Sequence, residues 1–215
     1  MTSDYRFIRL VHEGEVYHPV VASTGQVLGP ADVERLATTR TRRPDQCRRL
    51  EFLLLDEGEP RHNESPFQLA GATITQSAEP CGGAWGDFRW AGLPVVLLDS
   101  GISIGSIDHI ELRAPGKTAG AVGHHMVATA TLHDSELSAL SWGAIRSGLF
   151  GGVCANISAW VDRATDRVVA AQLIEVRLGD LECSTLPTAR VLRFWEARTR
   201  HDLTARGARQ QVARG

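Results

Sequence analysis

The chain has 215 residues, of which 43% are hydrophobic and 22% charged, enough to bury a sizeable core and ordinary for a globular protein. Its formal charge of -2 excludes a global pull toward nucleic acid or an anionic surface. Four scattered cysteines (Cys47, Cys81, Cys154, Cys183) form no Cys-x-x-Cys pair, which argues against a zinc knuckle and a dense disulfide framework and predicts a reduced, cytosolic setting.

Asp4, Arg6 and Arg9 interrupt any signal-peptide core. The longest apolar run, Leu93 to Leu98, is far short of the roughly 20 residues that span a bilayer, so no membrane partner is expected. Tyr5 to Val11 and Glu15 to Val21 read as a hairpin about His12-Glu13-Gly14. Gly29-Pro30 opens a short helix over Ala31 to Thr39, with Val33, Leu36 and Ala37 on one face. Thr38 to Arg49 is arginine-rich and expected to be exposed. Leu50 to Leu55 reads as a buried strand, Asp56 to Pro66 as a loop, and Phe67 to Thr75 as a further strand.

Ala78 to Asp87 is a glycine-rich flap and the best boundary between an N-terminal region, residues 1–80, and a second domain over 90–200. The first region either completes the β-domain or mediates assembly. Trp85 and Trp90 flank the flap as interface candidates. Val95 to Asp99 is a continuous apolar strand, Ser100-Gly101 a turn, and Ile102 to Leu112 an alternating strand. Ala114 to Gly123 is a loop, and Met126 to Leu132 alternates again. Asp134 or Ser135 can cap a helix running to about Arg146, with Leu137, Leu140, Ala144 and Ile145 on one face and Gly148 where it stops. Val153 to Val161 and Val168 to Leu178 form a long hairpin about Ala164 to Arg167. Thr188 to Thr199 suits either a strand or a helix, and the spacing of Leu192 and Trp195 favours helix. Residues 201–215 are a basic tail, read as a solvated end, with an arm docking on an acidic partner or nucleic acid as the alternative. Many strands, one clear helix and no regular β-α alternation predict an α+β or mostly antiparallel β domain and not a doubly wound sheet.

The stretch from Ser147 to Ile157 joins helix to strand through Gly151-Gly152, where backbone can approach backbone, with the thiol of Cys154 just beyond. Around it runs a series of short signatures: Leu97-Leu98-Asp99-Ser100, Ile104-Gly105, the helix from Ser135, Gly148-Leu149-Phe150-Gly151-Gly152-Val153-Cys154, Glu175-Val176-Arg177-Leu178, then Pro187 and Ala189. In this order and spacing, residues 93 to 192 resemble the bacteriophage prohead protease family, the serine peptidases that mature HK97-type capsids. The resemblance implies an α+β fold of prohead-protease type, a mostly antiparallel β-barrel or sheet with one or two packed helices, together with capsid or other phage structural proteins as partners, an oligomer, and a place in the host cytoplasm during assembly or in the virion.

The departures fall on the chemistry. Ser100 stands where the family has its catalytic histidine, Cys154 where it has its serine nucleophile, and Glu175 matches its acidic position. A nucleophile needs a base within roughly 2.6–3.2 Å, and Ser100 is not one. A thiolate escapes part of that need, but still requires a cation or base beside it. His109 and the pair His124-His125 are the substitutes available for a relocated base; His133 reads as a turn residue. The histidines lack zinc spacing, Gly148 to Gly152 is not a phosphate loop, and Asp162, Asp166 and Asp180 do not space as a calcium loop, so neither metal nor cofactor is expected. Two readings of the protease resemblance result. One is an assembly or virion component on a peptidase scaffold that has lost cleavage, a pseudoenzyme. The other is an active cysteine peptidase maturing capsid proteins through Cys154. A third reading is a binding module unrelated to phage proteases.

Overall fold

The structure, a computed structural model, describes residues 8–13, 16–41, 46–56, 73–75, 92–98, 100–162, 164–165, 167–181 and 189–198. The glycine-rich flap with Trp85 and Trp90, Cys81, Cys183, Asp99, most of the expected strand 67–75 and the basic tail lie outside the described residues.

In chain order the elements are β1 (Ile8–Glu13), β2 (Val16–Val21), β3 (Gln26–Val27), α1 (Pro30–Thr38), β4 (Gln46–Asp56), β5 (Thr73–Thr75), β6 (Pro94–Leu97), β7 (Ser103–Arg113), β8 (His125–Leu132), α2 (Glu136–Arg146), β9 (Gly152–Asp162), β10 (Arg167–Gly179) and β11 (Arg190–Arg198). Seven strands close on themselves in the order β10-β6-β7-β8-β4-β11-β9, with β9 returning to β10. The fold is therefore α+β around a closed barrel. Its staves pair antiparallel except β10 with β6, and β5 is appended to β10 in parallel. Closure satisfies the backbone groups that an open sheet would leave at its edges. Staves come from both sides of the 78–87 stretch, since β4 lies between β8 and β11.

Alternation along each stave fills the interior. Leu50 and Phe52 of β4, Ile104, Ile107 and Ile110 of β7, Met126, Ala128 and Ala130 of β8, Val153 and Ala155 of β9 and Leu173, Val176 and Leu178 of β10 belong to one buried core. Each large side chain buried there contributes about 1.5–3 kcal/mol. The hairpin read from Val153 to Leu178 is present as β9–β10, with Leu178 opposite Val153.

The helix favoured over Thr188 to Thr199 is a strand instead. Residues of β11 pair with β4 from Arg190↔Leu53 to Arg198↔Gln46, and a register shift between Val191 and Arg193 leaves Leu192 as an extra residue. That bulge puts Leu192 and Trp195 three apart with a gap in the alternation, which imitates a helical face. The expected exposure of Thr38 to Arg49 also holds only in part. β4 begins at Gln46, so Arg48 and Arg49 are strand residues; Arg49 is exposed, but Arg48 is half-buried.

Helix α2 crosses one end of the barrel. Its buried Trp142 packs edge-on to Phe194 with ring centroids 5.5 Å apart and donates its indole N–H to Glu196 at 2.9 Å. Ser135 caps α2, its hydroxyl oxygen accepting from the Ser138 N–H at 3.2 Å, and Ser138 donates to the Ile104 carbonyl of β7 at 2.7 Å. Gly148, at φ 76°, ends the helix in the left-handed conformation that favours glycine. Because Ser135 is almost fully buried, Ser135→Ala is expected to cost about 1–2 kcal/mol, read as a lower urea midpoint at unchanged m-value. The sheet β1-β2-β3 and α1 pack beside α2, tied by the Glu136 N–H to the Thr39 carbonyl at 2.8 Å and by Thr41 to Asp134.

Candidate functional site

The organising stretch is the seam where the barrel closes. β11 meets β9 at a single pair, Arg190↔Gly152. Gly151 bridges the neighbouring staves: its N–H donates to the Gly179 carbonyl of β10 at 3.0 Å and its carbonyl accepts from Val191 of β11 at 2.9 Å. At Gly152 a Cβ would lie 2.6 Å from the Asp180 carbonyl carbon and 2.9 Å from Leu181 Cα, and closer still to the Asp180 oxygen. The glycine pair thus serves the close backbone approach read from the sequence.

Beyond the seam, β9 alternates with Val153 and Ala155 buried inward, which turns Cys154 and Asn156 to the outer wall, both half-buried. In register with them on β10 stand Arg177, opposite Cys154, and Glu175, opposite Asn156. The Arg177 Nε donates to the Glu175 carboxylate at 2.7 Å. So Cys154 and Glu175 are brought to neighbouring positions on one face, but Glu175 is engaged by a guanidinium and not by an imidazole.

Ser100 is a turn residue. Its hydroxyl donates to the Leu97 carbonyl at 2.9 Å and accepts the Ile102 N–H at 3.1 Å, closing the β6–β7 corner beside Gly101 at φ 65°. Leu98 N–H reaches the Leu178 carbonyl, so Ser100 lies past the end of β10, with β10 between it and β9.

The histidines lie elsewhere. His109 is exposed on β7 opposite Thr129, and His133 places Nε2 3.1 Å from the Ser103 hydroxyl. The row through Cys154 runs Arg177, Val96, Ser103, so even Ser103 is three strands away, roughly 14 Å along the wall at about 4.8 Å per strand. His124 is half-buried at the start of β8; His125 is fully buried. Among the described residues no three His, Cys, Asp or Glu side chains group as a metal site would require.

His125 instead belongs to a buried polar cluster at the opposite end of β8. Asp56 of β4 stands opposite His125 in register, and both are fully buried. Asp56 accepts from the Val122 N–H at 2.6 Å and the Gly123 N–H at 2.8 Å. The Gly123 carbonyl can only accept, so at 2.9 Å it takes a proton from His125 Nδ1, and Nε2 lies 2.8 Å from the Thr118 hydroxyl. Arg113 donates to Thr118 at 3.3 Å, pairs with Glu111, and reaches Glu51 at 3.5 Å; Arg193 pairs with Glu51 at 2.7 Å. Burial opposes the Arg113 charge, yet hydrogen bonds to Glu111 and Glu51 outweigh it and hold the guanidinium above its ordinary value. Arg190 donates to the Ala119 carbonyl at 3.2 Å. These contacts strap the 114–124 loop across β7, β8, β4 and β11. The sequence marks Asp56 as a loop residue; its partners sit 66 and 67 positions further along the chain, which leaves no local signal.

A cleft of about 520 Å³ opens between the β2–β3 turn, α1 and α2, over Val21, Leu28, Leu36 and Leu140 with Arg35 and Glu136 at its rim. None of Ser100, His109, Cys154 and Glu175 lines it. Among the described residues no helix is long and apolar enough to cross a membrane. The chain is thus a mixed α+β protein built on a closed seven-stranded barrel. No protein-family model, no curated protein and no solved structure matches it.

Proposed function

We propose that this chain is a capsid-assembly or virion-associated component, built on a barrel of prohead-protease type that has given up peptide cleavage. The observation that carries the reading is the environment of Cys154. The thiol sits on the outer wall with an arginine opposite, the neighbouring carboxylate is held by that arginine, and of the candidate bases His109 and His125 lie on other staves and His124 and His133 at the two ends of β8. Cleavage by a thiol needs a base or cation to populate the thiolate and an acid to protonate the leaving amine. Arg177 offers charge but no transferable proton at neutral pH. A barrel whose interior is filled by Leu, Ile and Val side chains is by contrast a rigid body suited to presenting surfaces.

The test mixes the purified chain with the major capsid protein of its own particle. Co-sedimentation without cleavage is expected, and Cys154→Ala should change neither. Iodoacetamide should label Cys154 within a few-fold of the rate at Cys47, the other half-buried free thiol described. Cleavage that Cys154→Ala abolishes, with Cys154 labelled far faster than Cys47, would establish the cysteine-peptidase reading instead.

A further inference from the structure

We propose that β1 is a self-association edge through which two copies of this chain join their N-terminal sheets into one six-stranded antiparallel sheet. The proposal does not depend on the assembly reading, because it rests on the sheet β1-β2-β3 alone. That sheet has two edges, β1 and β3. β3 is two residues long, too short to template another strand, whereas β1 runs six residues without proline or bulge and pairs continuously with β2 from Ile8↔Val21 to Glu13↔Val16. Among the described residues nothing pairs with its other side. Sheet edges are commonly blunted by shortness, proline, bulges or charged side chains; β1 has only the last, in Arg9 and Glu13, and these are the charges the pairing below sets against each other.

The ladder shows which groups the edge offers. Pro19 of β2 accepts from Leu28 N–H at 2.8 Å, so Pro19 faces β3 and the alternate residues Val20 and His18 face β1. Their partners Arg9 and Val11, and Glu13 by alternation, therefore direct backbone N–H and C=O toward β2. Ile8, Leu10 and His12 direct theirs to the open edge. A second β1 laid antiparallel must pair even-numbered residues with even-numbered ones. One such register sets Leu10 against His12 of the second copy, Val11 against Val11 on the two-fold axis, and Arg9 against Glu13 twice. Strand IRLVHE is thus self-complementary in charge when read against itself. An isologous two-fold contact uses one patch on both copies and closes, which makes a second copy the occupant the edge fits. Opposite charges set directly across strands are favourable and like charges unfavourable, and symmetry doubles each effect.

The test is sedimentation velocity of the full chain from low to high micromolar concentration in dilute salt. A reversible dimer is expected. Arg9→Glu and Glu13→Arg should each weaken it at least tenfold, since each sets like charges opposite twice. The double variant Arg9→Glu with Glu13→Arg should restore dimerisation to within a few-fold. Circular dichroism and the thermal midpoint should stay near wild type in all three, separating lost pairing from lost folding. A wild-type monomer throughout, a dimer indifferent to the single changes, or a folded double variant that stays monomeric would each overturn the proposal. Because the readout is association of the chain with itself, failure of the capsid-protein test leaves this result standing, and the reverse.

Discussion

Gly152→Ala is expected to be among the most damaging single substitutions in this chain, lowering stability by about 3–5 kcal/mol or preventing closure of the barrel. The added methyl would meet backbone: the Asp180 carbonyl group, whose carbon lies 2.6 Å from the Cβ position, and Leu181 Cα at 2.9 Å. Neither has a rotamer by which to move away. Relief requires β9 and the end of β10 to separate, and that separation acts on the Arg190↔Gly152 pair by which β11 completes the wall. Gly151→Ala is the control. There the Cβ meets only the flexible Leu181 side chain, at 3.4 Å, so a change under about 1 kcal/mol is expected. Chemical denaturation of both variants checks the contrast. Equal midpoints would mean that the seam yields easily and that the glycine pair is not what closes it.

The same seam shows what could and could not be read from the residues. The helix from Ser135 was legible because its cap, its apolar face and the Gly148 stop lie within fifteen residues and act locally. The β9–β10 hairpin was legible because alternation and one short turn fix both strands. The closeness at Gly151-Gly152 was legible as a need for small residues, but not its partner, since Asp180 is 28 positions away and nothing in the sequence marks it as touching Gly152. β11 was misread because a bulge at Leu192 breaks the period that distinguishes strand from helix. Among the candidate residues, Cys154 and Glu175 do share a face, as a hairpin register dictates, while Ser100 and His109 are set by where β6 and β7 sit in the barrel. That placement depends on a strand order that local pattern does not encode.

The second large effect is expected at Asp56, where Asp56→Asn should cost about 2–4 kcal/mol although it preserves shape. The fully buried carboxylate accepts two backbone N–H groups, from Val122 at 2.6 Å and Gly123 at 2.8 Å, one on each oxygen. Asparagine has one accepting oxygen and one donating amide, so one of the two N–H groups would face another donor in a site closed to water. Hydrogen bonds to a charged acceptor are also the stronger kind, and the remaining one weakens when the charge is removed. The loss should be felt locally before it is felt globally. The 114–124 strap keeps its other ties at Thr118, at Ala119 and at the Gly123 carbonyl on His125, so its far limb, 120–123, is loosened first. Lys117, exposed within the strap, is the only lysine of the chain, so a lysine-specific endoproteinase has a single target. Asp56→Asn should raise the rate of that one cut well above wild type under native conditions, with the two fragments remaining associated through the barrel staves on either side. Thr118→Val, which keeps Asp56 but removes the hydroxyl shared by His125 and Arg113 beside the scissile Lys117–Thr118 bond, should raise it as well. If Asp56→Asn were cut no faster than wild type and unfolded within about 0.5 kcal/mol of it, the strap would have to be held by its side-chain packing, and the buried carboxylate would need another explanation.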